Sequence, residues 1–371
     1  MAPTLRAAAC HASPHFLSAA LTTQKAIALI RTAAANAAHL IVFPETYIPA
    51  FPVWSSVRPP TQNHELFARM AAESVYADGP EVRALRDAAR ELGVMVSVGI
   101  SEKVRYSVAA LFNSNIIIGK DGEVLVHHRK LMPTFYEKLT WSPGDGHGLR
   151  VAELEVGRGG DGGEGGTVKI GALICGENTN PLARYALMAE GEQVHISCWP
   201  AIWPTREAQA FEEVAGADKA AGGKVKTGSN YDNVGATRIR IAAHCFEAKC
   251  FGIICSAVLP QEAVDLIVSS SGSPESTKAI VRNTLEQSSP GATMFIDPMG
   301  ALLPGFTIDA DGNKQARDML QKEEGILYAD LDMERCVEGK QYHDVVAGYQ
   351  RLDVFDLKVD RRRREPATFL E

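Results

Sequence analysis

Cys175 ends an apolar run, Gly171-Ala172-Leu173-Ile174, and opens the turn Gly176-Glu177-Asn178. A thiol at a strand end is fixed in space, and the amides of the following turn can lower its pKa and stabilise an anion growing on a bound molecule. A cysteine alone carries little weight, because buried thiols commonly fill cores and the chain has seven. Two other runs end in the same abrupt way. His39-Leu40-Ile41-Val42-Phe43-Pro44 leads into Glu45, and Glu123-Val124-Leu125-Val126 leads into His127-His128-Arg129-Lys130. Taken singly, a glutamate or lysine after a strand is most often a solvated surface residue. Together, a carboxylate, an ammonium and a thiol at three strand ends are the parts of an acid/base-assisted thiol hydrolase.

In order and spacing, Phe43-Pro44-Glu45, His128-Arg129-Lys130-Leu131 and Cys175-Gly176-Glu177-Asn178 resemble the three signature motifs of the nitrilase superfamily of carbon-nitrogen hydrolases. FPETYIPAF over residues 43–51 and RKLMPTFYEKLTWSPGDG over residues 129–146 are similar to the nitrilase branch, arylacetonitrilases included. The resemblance continues through His195-Ile196-Ser197-Cys198-Trp199-Pro200. Three ordered motifs are far more specific than any one of them. The resemblance implies that Cys175 attacks a nitrile carbon, that Glu45 takes the thiol proton and activates water, and that Lys130 stabilises the charged tetrahedral species. It also implies that Glu137, seven residues after Lys130, lies in the pocket and positions Lys130 and substrate. The plain alternative for Glu137 is a surface ion pair with Lys138. The Gly176 amide is a candidate oxyanion donor. The products are the carboxylic acid and ammonia, water is the co-substrate, and neither a metal nor an organic cofactor is called for. A hydratase that releases the amide is the close alternative, and a non-catalytic assembly protein is the third.

Residues suited to lining the substrate site are Trp54, Tyr136, Trp141, Trp199, Pro200 and Trp203, an aromatic set that fits an arene or an apolar chain, although each is equally able to serve as packing. The expectation is therefore an aryl- or arylaceto-nitrile, with aliphatic nitriles and cyanide as competitors. Residues 53–73, longer than in amidase branches, are candidates for a cleft wall. Two departures from the resembled pattern stand out. Gly176 occupies a position where many relatives have tryptophan. In the tail, Asp344-Val345-Val346-Ala347-Gly348-Tyr349-Gln350-Arg351-Leu352-Asp353 lacks a histidine between Gly348 and Tyr349 and has Leu352 for a frequent proline.

The elements that must hold these residues follow from periodicity. Strands are expected at 5–10, 41–43, 94–100, 115–118, 124–127, 168–174, 194–199, 252–258 and 293–296, with Lys120-Asp121-Gly122 closing a hairpin. Helices are expected at 16–37, 81–92, 181–190 and 236–249, the second stopped by Gly93. The glycine-rich stretch 157–166 lacks the ending of a phosphate loop and is read as a connection, whereas 216–229 is read either as a mobile loop or, as the resemblance implies, as a region of subunit contacts. The resemblance implies a mixed α/β fold, a four-layer α-β-β-α sandwich, as a domain over 1–305 with a C-terminal extension over 306–371 making oligomer contacts. Homo-oligomerisation is implied by the resemblance alone.

With 371 residues, 46% of them hydrophobic, the chain can bury a large core. A net charge of −7 leaves no basic surplus for nucleic acid. The one dense basic run, Arg361–Arg364, is read as a solvated or subunit-contacting tail. An odd number of cysteines without small-domain spacing fits a reduced, cytoplasmic protein. No apolar run approaches membrane-spanning length, and no targeting signal is read at the start.

Overall fold

The computed structural model describes residues 2–157, 165–208 and 230–367. In chain order its strands are β1 (Thr4–His11), β2 (Leu40–Val42), β3 (Met95–Lys103), β4 (Leu111–Ile118), β5 (Val124–Arg129), β6 (Ala152–Val156), β7 (Gly166–Ile174), β8 (Val194–Trp199), β9 (Phe251–Ser256), β10 (Thr293–Ile296), β11 (Leu302–Leu303), β12 (Gly305–Ile308), β13 (Lys314–Arg317), β14 (Met319–Leu320) and β15 (Gly325–Asp332). Among the described residues they form two sheets, ordered β13-β12-β15-β1-β2-β3-β4-β5 and β11-β10-β9-β8-β7-β6, with β14 on β10. Each sheet has three parallel strands at its heart, β1-β2-β3 in one and β7-β8-β9 in the other, flanked by antiparallel neighbours.

Alternation along the central strands explains the layers. Ala7 and Ala9 of β1 point into one apolar cluster with Val168, Ile170, Val194, Ile196 and Ile253 of the second sheet. Ala8 and Cys10 point the other way, into a cluster with Ala26, Ile30 and Ala33 of the helix Ala19–Ala35 and Val82, Leu85 and Ala89 of the helix Pro80–Leu92. On the outer face of the second sheet, Ile174, Cys198 and Ile254 meet Ile241, Cys245 and Ala248 of the helix Asn233–Ala248. Period-two side chains buried on both faces yield two sheets face to face with helices outside, the expected α-β-β-α sandwich.

Several boundaries move for physical reasons. The strand expected at 115–118 begins four residues earlier, at Leu111, because Asn113, Ser114 and Asn115 find side-chain partners and are buried at little cost. β15 was not anticipated, yet it pairs with β1 along all eight residues. Residues 306–332 therefore supply strands of the larger sheet rather than lying outside it. The run Arg361–Arg364 is not simply solvated. Arg363 pairs with Asp145 at 3.1 Å and donates to the His127 carbonyl at 2.9 Å, so the tail folds back over the segment that follows β5. Most of the glycine-rich stretch 157–166 and all of 216–229 lie outside the described residues. No described helix is long and apolar enough to cross a membrane.

Candidate active site

Three strand ends deliver the chemistry-bearing residues. Lys130 follows β5 directly, Cys175 follows β7 directly, and Glu45 stands three residues past the end of β2. β5 is antiparallel to β4 and β4 to β3, so β5 runs in the same sense as β2 and both end at one edge of the sheet. Ligand sites in mixed α/β sheets form beyond such carboxyl ends. Glu137 comes from a short 3-10 turn, Phe135–Leu139. Its Oε2 accepts the Thr134 amide at 2.8 Å, which anchors the carboxylate at the turn's start. Thr46, Phe135 and Cys175 all have positive φ, at 41°, 48° and 49°. L-residues adopt this region at a cost, and three such residues beside Glu45, Glu137 and in the thiol itself mark a site where backbone ease is subordinate to side-chain placement.

The four side chains meet in one buried cluster. Lys130 Nζ donates to Glu45 Oε1 at 2.9 Å and to Glu137 Oε1 and Oε2 at 2.8 and 2.7 Å. Glu45, Glu137 and Cys175 bring acceptor atoms within 4.8 Å of one another. Exposure is 1% for Glu45 and Lys130, 0% for Glu137 and 5% for Cys175. Glu137 thus pairs with Lys130 and not with Lys138. Asn113 Nδ2 donates to Glu45 Oε1 at 2.7 Å, whereas Glu45 Oε2 is buried without a partner. An unpaired buried carboxylate oxygen is costly, and it is free to accept a proton.

Electrostatics set the resting protonation. Burial raises the Cys175 thiol well above its usual range and Glu45 adds to it, against the opposing pull of Lys130 and the Gly176 amide. The thiol rests protonated and needs a base. Burial opposes the charge on Lys130, but the carboxylates of Glu137 and Glu45 outweigh it and hold the ammonium charged. Burial, with Glu45 adding, pushes Glu137 up to about 7 despite Lys130. The ammonium already occupies the point between the carboxylates that a cation would take.

Glu177, assigned no role from its motif, ties the strand ends together. Its Oε2 accepts the amide of Ile174, just before Cys175, at 2.8 Å, and its Oε1 accepts the amide of Leu131, just after Lys130, at 2.6 Å. His128 Nε2 lies 3.0 Å from Oε2. Asn113 was also missed. Its one signal was a cluster of polar residues inside an otherwise apolar strand, Leu111-Phe112-Asn113-Ser114-Asn115-Ile116.

Beside Glu45 opens an apolar pocket lined by Phe16, Phe51, Val53, Ala201, Ile202 and Leu259, among others. None of the expected substrate-site residues is among those lining it, and Trp54, Trp141 and Trp203 reach it through contacts with the lining residues Phe16 and Phe51. Tyr136 stacks on Trp203 with ring centres 4.4 Å apart, and Phe51 contacts both Trp203 and Trp141 edge-on at 6.0 and 5.5 Å. Trp199 shares an apolar cluster with Cys175, and its indole donates to Ser197 at 2.6 Å. The Pro200 carbonyl accepts from Ser256 at 2.7 Å. Trp54 packs edge-on against the pocket-lining Phe16 at 5.9 Å and shares an apolar cluster with Trp141. The bare Gly176 leaves room for Thr134, whose Oγ1 would stand 2.7 Å from a Cβ there.

Fold and cluster together define a class: an α-β-β-α sandwich with a buried thiol held against an ammonium and two carboxylates at strand ends. A family model described as carbon-nitrogen hydrolase matches residues 6–341. The chain belongs to that family. It is 31% identical to a nitrilase of Pseudomonas syringae over 95% of this chain and 89% of that one. It is 29% identical to an arylacetonitrilase of Hypocrea virens over 96% of this chain and 92% of that one. The crystal structure of a carbon-nitrogen hydrolase from Helicobacter pylori has the same fold, with a TM-score of 0.59, 17% identity and coverage of 95% of this chain and 97% of that one.

Proposed function

We propose that this chain hydrolyses a nitrile to the carboxylic acid and ammonia, with Cys175 as nucleophile, Glu45 as general base and acid, Lys130 as the charge stabiliser and Glu137 as the residue that positions Lys130. The observation that carries the reading is the unpartnered Glu45 Oε2 in a buried cluster with a protonated thiol and a charged ammonium. Glu45 removes the thiol proton as sulfur adds to the nitrile carbon, and the nitrogen takes up a proton to give a thioimidate. Water, deprotonated by Glu45, adds to the thioimidate carbon, and protonated nitrogen departs as ammonia, leaving a thioester. A second water hydrolyses the thioester, releasing the acid and restoring the thiol. Two waters are consumed per nitrile, and the residues return to their starting states.

The apolar lining with Phe51, and with Tyr136, Trp141 and Trp203 around it, supports an aryl- or arylaceto-nitrile as substrate. The name of the arylacetonitrilase relative supports the same class. A cytoplasmic setting is supported by seven cysteines, all free and buried. A homo-oligomer is supported by exposed Leu352 and Phe355 on the tail. The test is incubation of the purified protein with phenylacetonitrile, mandelonitrile, a short aliphatic nitrile and cyanide, with acid, amide and ammonia quantified for each. Acid with equimolar ammonia from an aryl substrate is the expected result. Amide without ammonia transfers the chain to the hydratases, and no product from any of the four overturns the reading.

A further inference from the structure

A second polar cluster lies behind the Cys175 turn. Glu192 precedes β8, His195 is its second residue, and His244 projects from the helix Asn233–Ala248; all three are fully buried or nearly so. Glu192 Oε1 is 2.8 Å from His195 Nδ1, and Glu192 Oε2 is 2.6 Å from His244 Nε2. His195 Nε2 is 2.8 Å from Asn178 Oδ1. Asn178 Nδ2 donates to the carbonyl of Cys175 at 2.9 Å and to that of Leu173 at 3.3 Å. These carbonyls can only accept, so the amide nitrogen of Asn178 faces them and its oxygen must face His195. His195 Nε2 therefore donates. The opposite ring nitrogen donates to Glu192 when that carboxylate is ionised. A chain of directed hydrogen bonds thus runs from the helix through Glu192, His195 and Asn178 to the backbone of the nucleophile.

The fold makes room for this chain deliberately. Gly171 of β7 is the register partner of His195, and a Cβ at Gly171 would collide with Glu192 Oε1. The histidine rings stack with centres 3.8 Å apart, which fixes both planes. Burial opposes ionisation of Glu192, but His195 and His244 prevail and hold its carboxyl below the usual range. Three buried acid and imidazole groups invite a metal, but the oxygen-nitrogen separations here are shorter than the roughly 3.3 Å between two ligands on one tetrahedral zinc. The groups are bonded to one another instead.

We propose that His195 is a positioning residue for Cys175, acting through Asn178, while Glu192 and His244 hold its ring. The inference rests on the nitrile-hydrolysis reading only in naming Cys175 as the reacting group. Cys175 has a φ of 49°, and Asn178 grips the carbonyls of Cys175 and of Leu173, two residues earlier. Without that grip the turn can relax, and sulfur leaves the line of attack, an effect on rate far larger than on binding.

The test compares His195→Ala, Asn178→Ala and Glu192→Gln with the wild type in kcat, KM and the rate at which iodoacetamide labels Cys175, read by peptide mass spectrometry. His195→Ala and Asn178→Ala are expected to lower kcat roughly 10²-fold, with KM within about threefold, and to change the Cys175 labelling rate in parallel. Glu192→Gln is the discriminating variant. A glutamine amide can donate to His195 Nδ1 while its oxygen accepts from His244, so every hydrogen bond survives and activity stays within about threefold of wild type. Wild-type kcat and labelling in His195→Ala, or a loss in Glu192→Gln as deep as in His195→Ala, overturns the proposal. A loss traced wholly to fewer folded molecules, each with wild-type kcat, overturns it equally. Asn178→Ala leaves the Glu192 trio intact and carries the test if the histidine variant does not fold. Labelling needs no turnover, so a wild type inert toward nitriles defeats the substrate reading without touching this one.

Discussion

The two buried carboxylate clusters that meet the Cys175 turn are built from similar parts and finished differently. Around Glu192 both carboxylate oxygens and both His195 nitrogens are paired, and the trio's one unpartnered nitrogen is His244 Nδ1. Around Lys130 two carboxylates face one ammonium, Glu45 Oε2 has no partner, and an apolar pocket opens alongside. A satisfied buried network rigidifies, whereas a group left unsatisfied holds free energy in reserve for a reaction partner. The contrast assigns chemistry to the cluster whose carboxylate is incomplete in its pairing and positioning to the one whose carboxylate is complete.

The strongest way to break that division is to remove the thiol. Cys175→Ala is expected to abolish ammonia release entirely while leaving both clusters in place, so thermal unfolding shifts by only a few degrees. Turnover retained in that variant would sink the thiol mechanism. Next come Glu45→Gln and Lys130→Ala, each expected to cost roughly 10² or more in kcat. They separate on stability. Glu45→Gln keeps an acceptor for Lys130, but Lys130→Ala leaves two carboxylates buried without their cation, a loss on the order of 3–5 kcal/mol read by denaturant unfolding. Equal stability in the two variants would mean that Lys130 contributes no net pairing, and the electrostatic half of the comparison would fail.

The incomplete cluster was legible in the sequence and the complete one was not, for a physical reason. Glu45, Lys130 and Cys175 each interrupt an apolar run at its end, which leaves a local mark. His195 sits inside β8, where Val194, Ile196 and Cys198 set the pattern, Glu192 stands in the loop three residues before it, and His244 joins from a helix distant in sequence. No local pattern reports such a meeting. The central strands and their helices were equally visible, because burial on both faces writes continuous apolar runs. β15 was not read, since Gly325-Ile326-Leu327-Tyr328-Ala329-Asp330 alternates weakly and its partner β1 is over three hundred residues away. The aromatic residues show the same limit: Trp54 and Trp141 each back a pocket-lining phenylalanine, Phe16 and Phe51, and nothing local in the sequence marks those pairings.

Glu177 sharpens the comparison at an intermediate scale, because it is a complete node that serves the incomplete cluster. It clamps the residues flanking Cys175 and Lys130 through their amides. Glu177→Gln preserves one acceptor oxygen and turns the other into a donor facing an amide donor. A loss of about 1–3 kcal/mol in stability and of roughly tenfold in kcat is expected, measured by urea unfolding and steady-state kinetics. Lost stability with unchanged kcat would show that the clamp holds the fold without aligning the reacting groups.

The smallest effect tests whether the Lys130 cluster is incomplete in its protonation as well as its geometry. Burial and Glu45 raise the Glu137 carboxyl from 4.5 to about 7, with Lys130 opposing. The folded chain then keeps a proton that the unfolded chain gives up in the ordinary carboxylate range. That contribution to stability is fully present below the ordinary range and is lost as pH rises through about 7. Glu137→Gln cannot titrate, so the wild-type advantage over the variant should fall across this window, with a slope of at most about 1.4 kcal/mol per pH unit, and level off above it. Urea unfolding at half-unit steps of pH measures it. A flat difference would mean that Lys130 holds Glu137 ionised throughout, pairing it as fully as the histidines pair Glu192, and Glu45 would then be the one carboxylate in the cluster with capacity to spare.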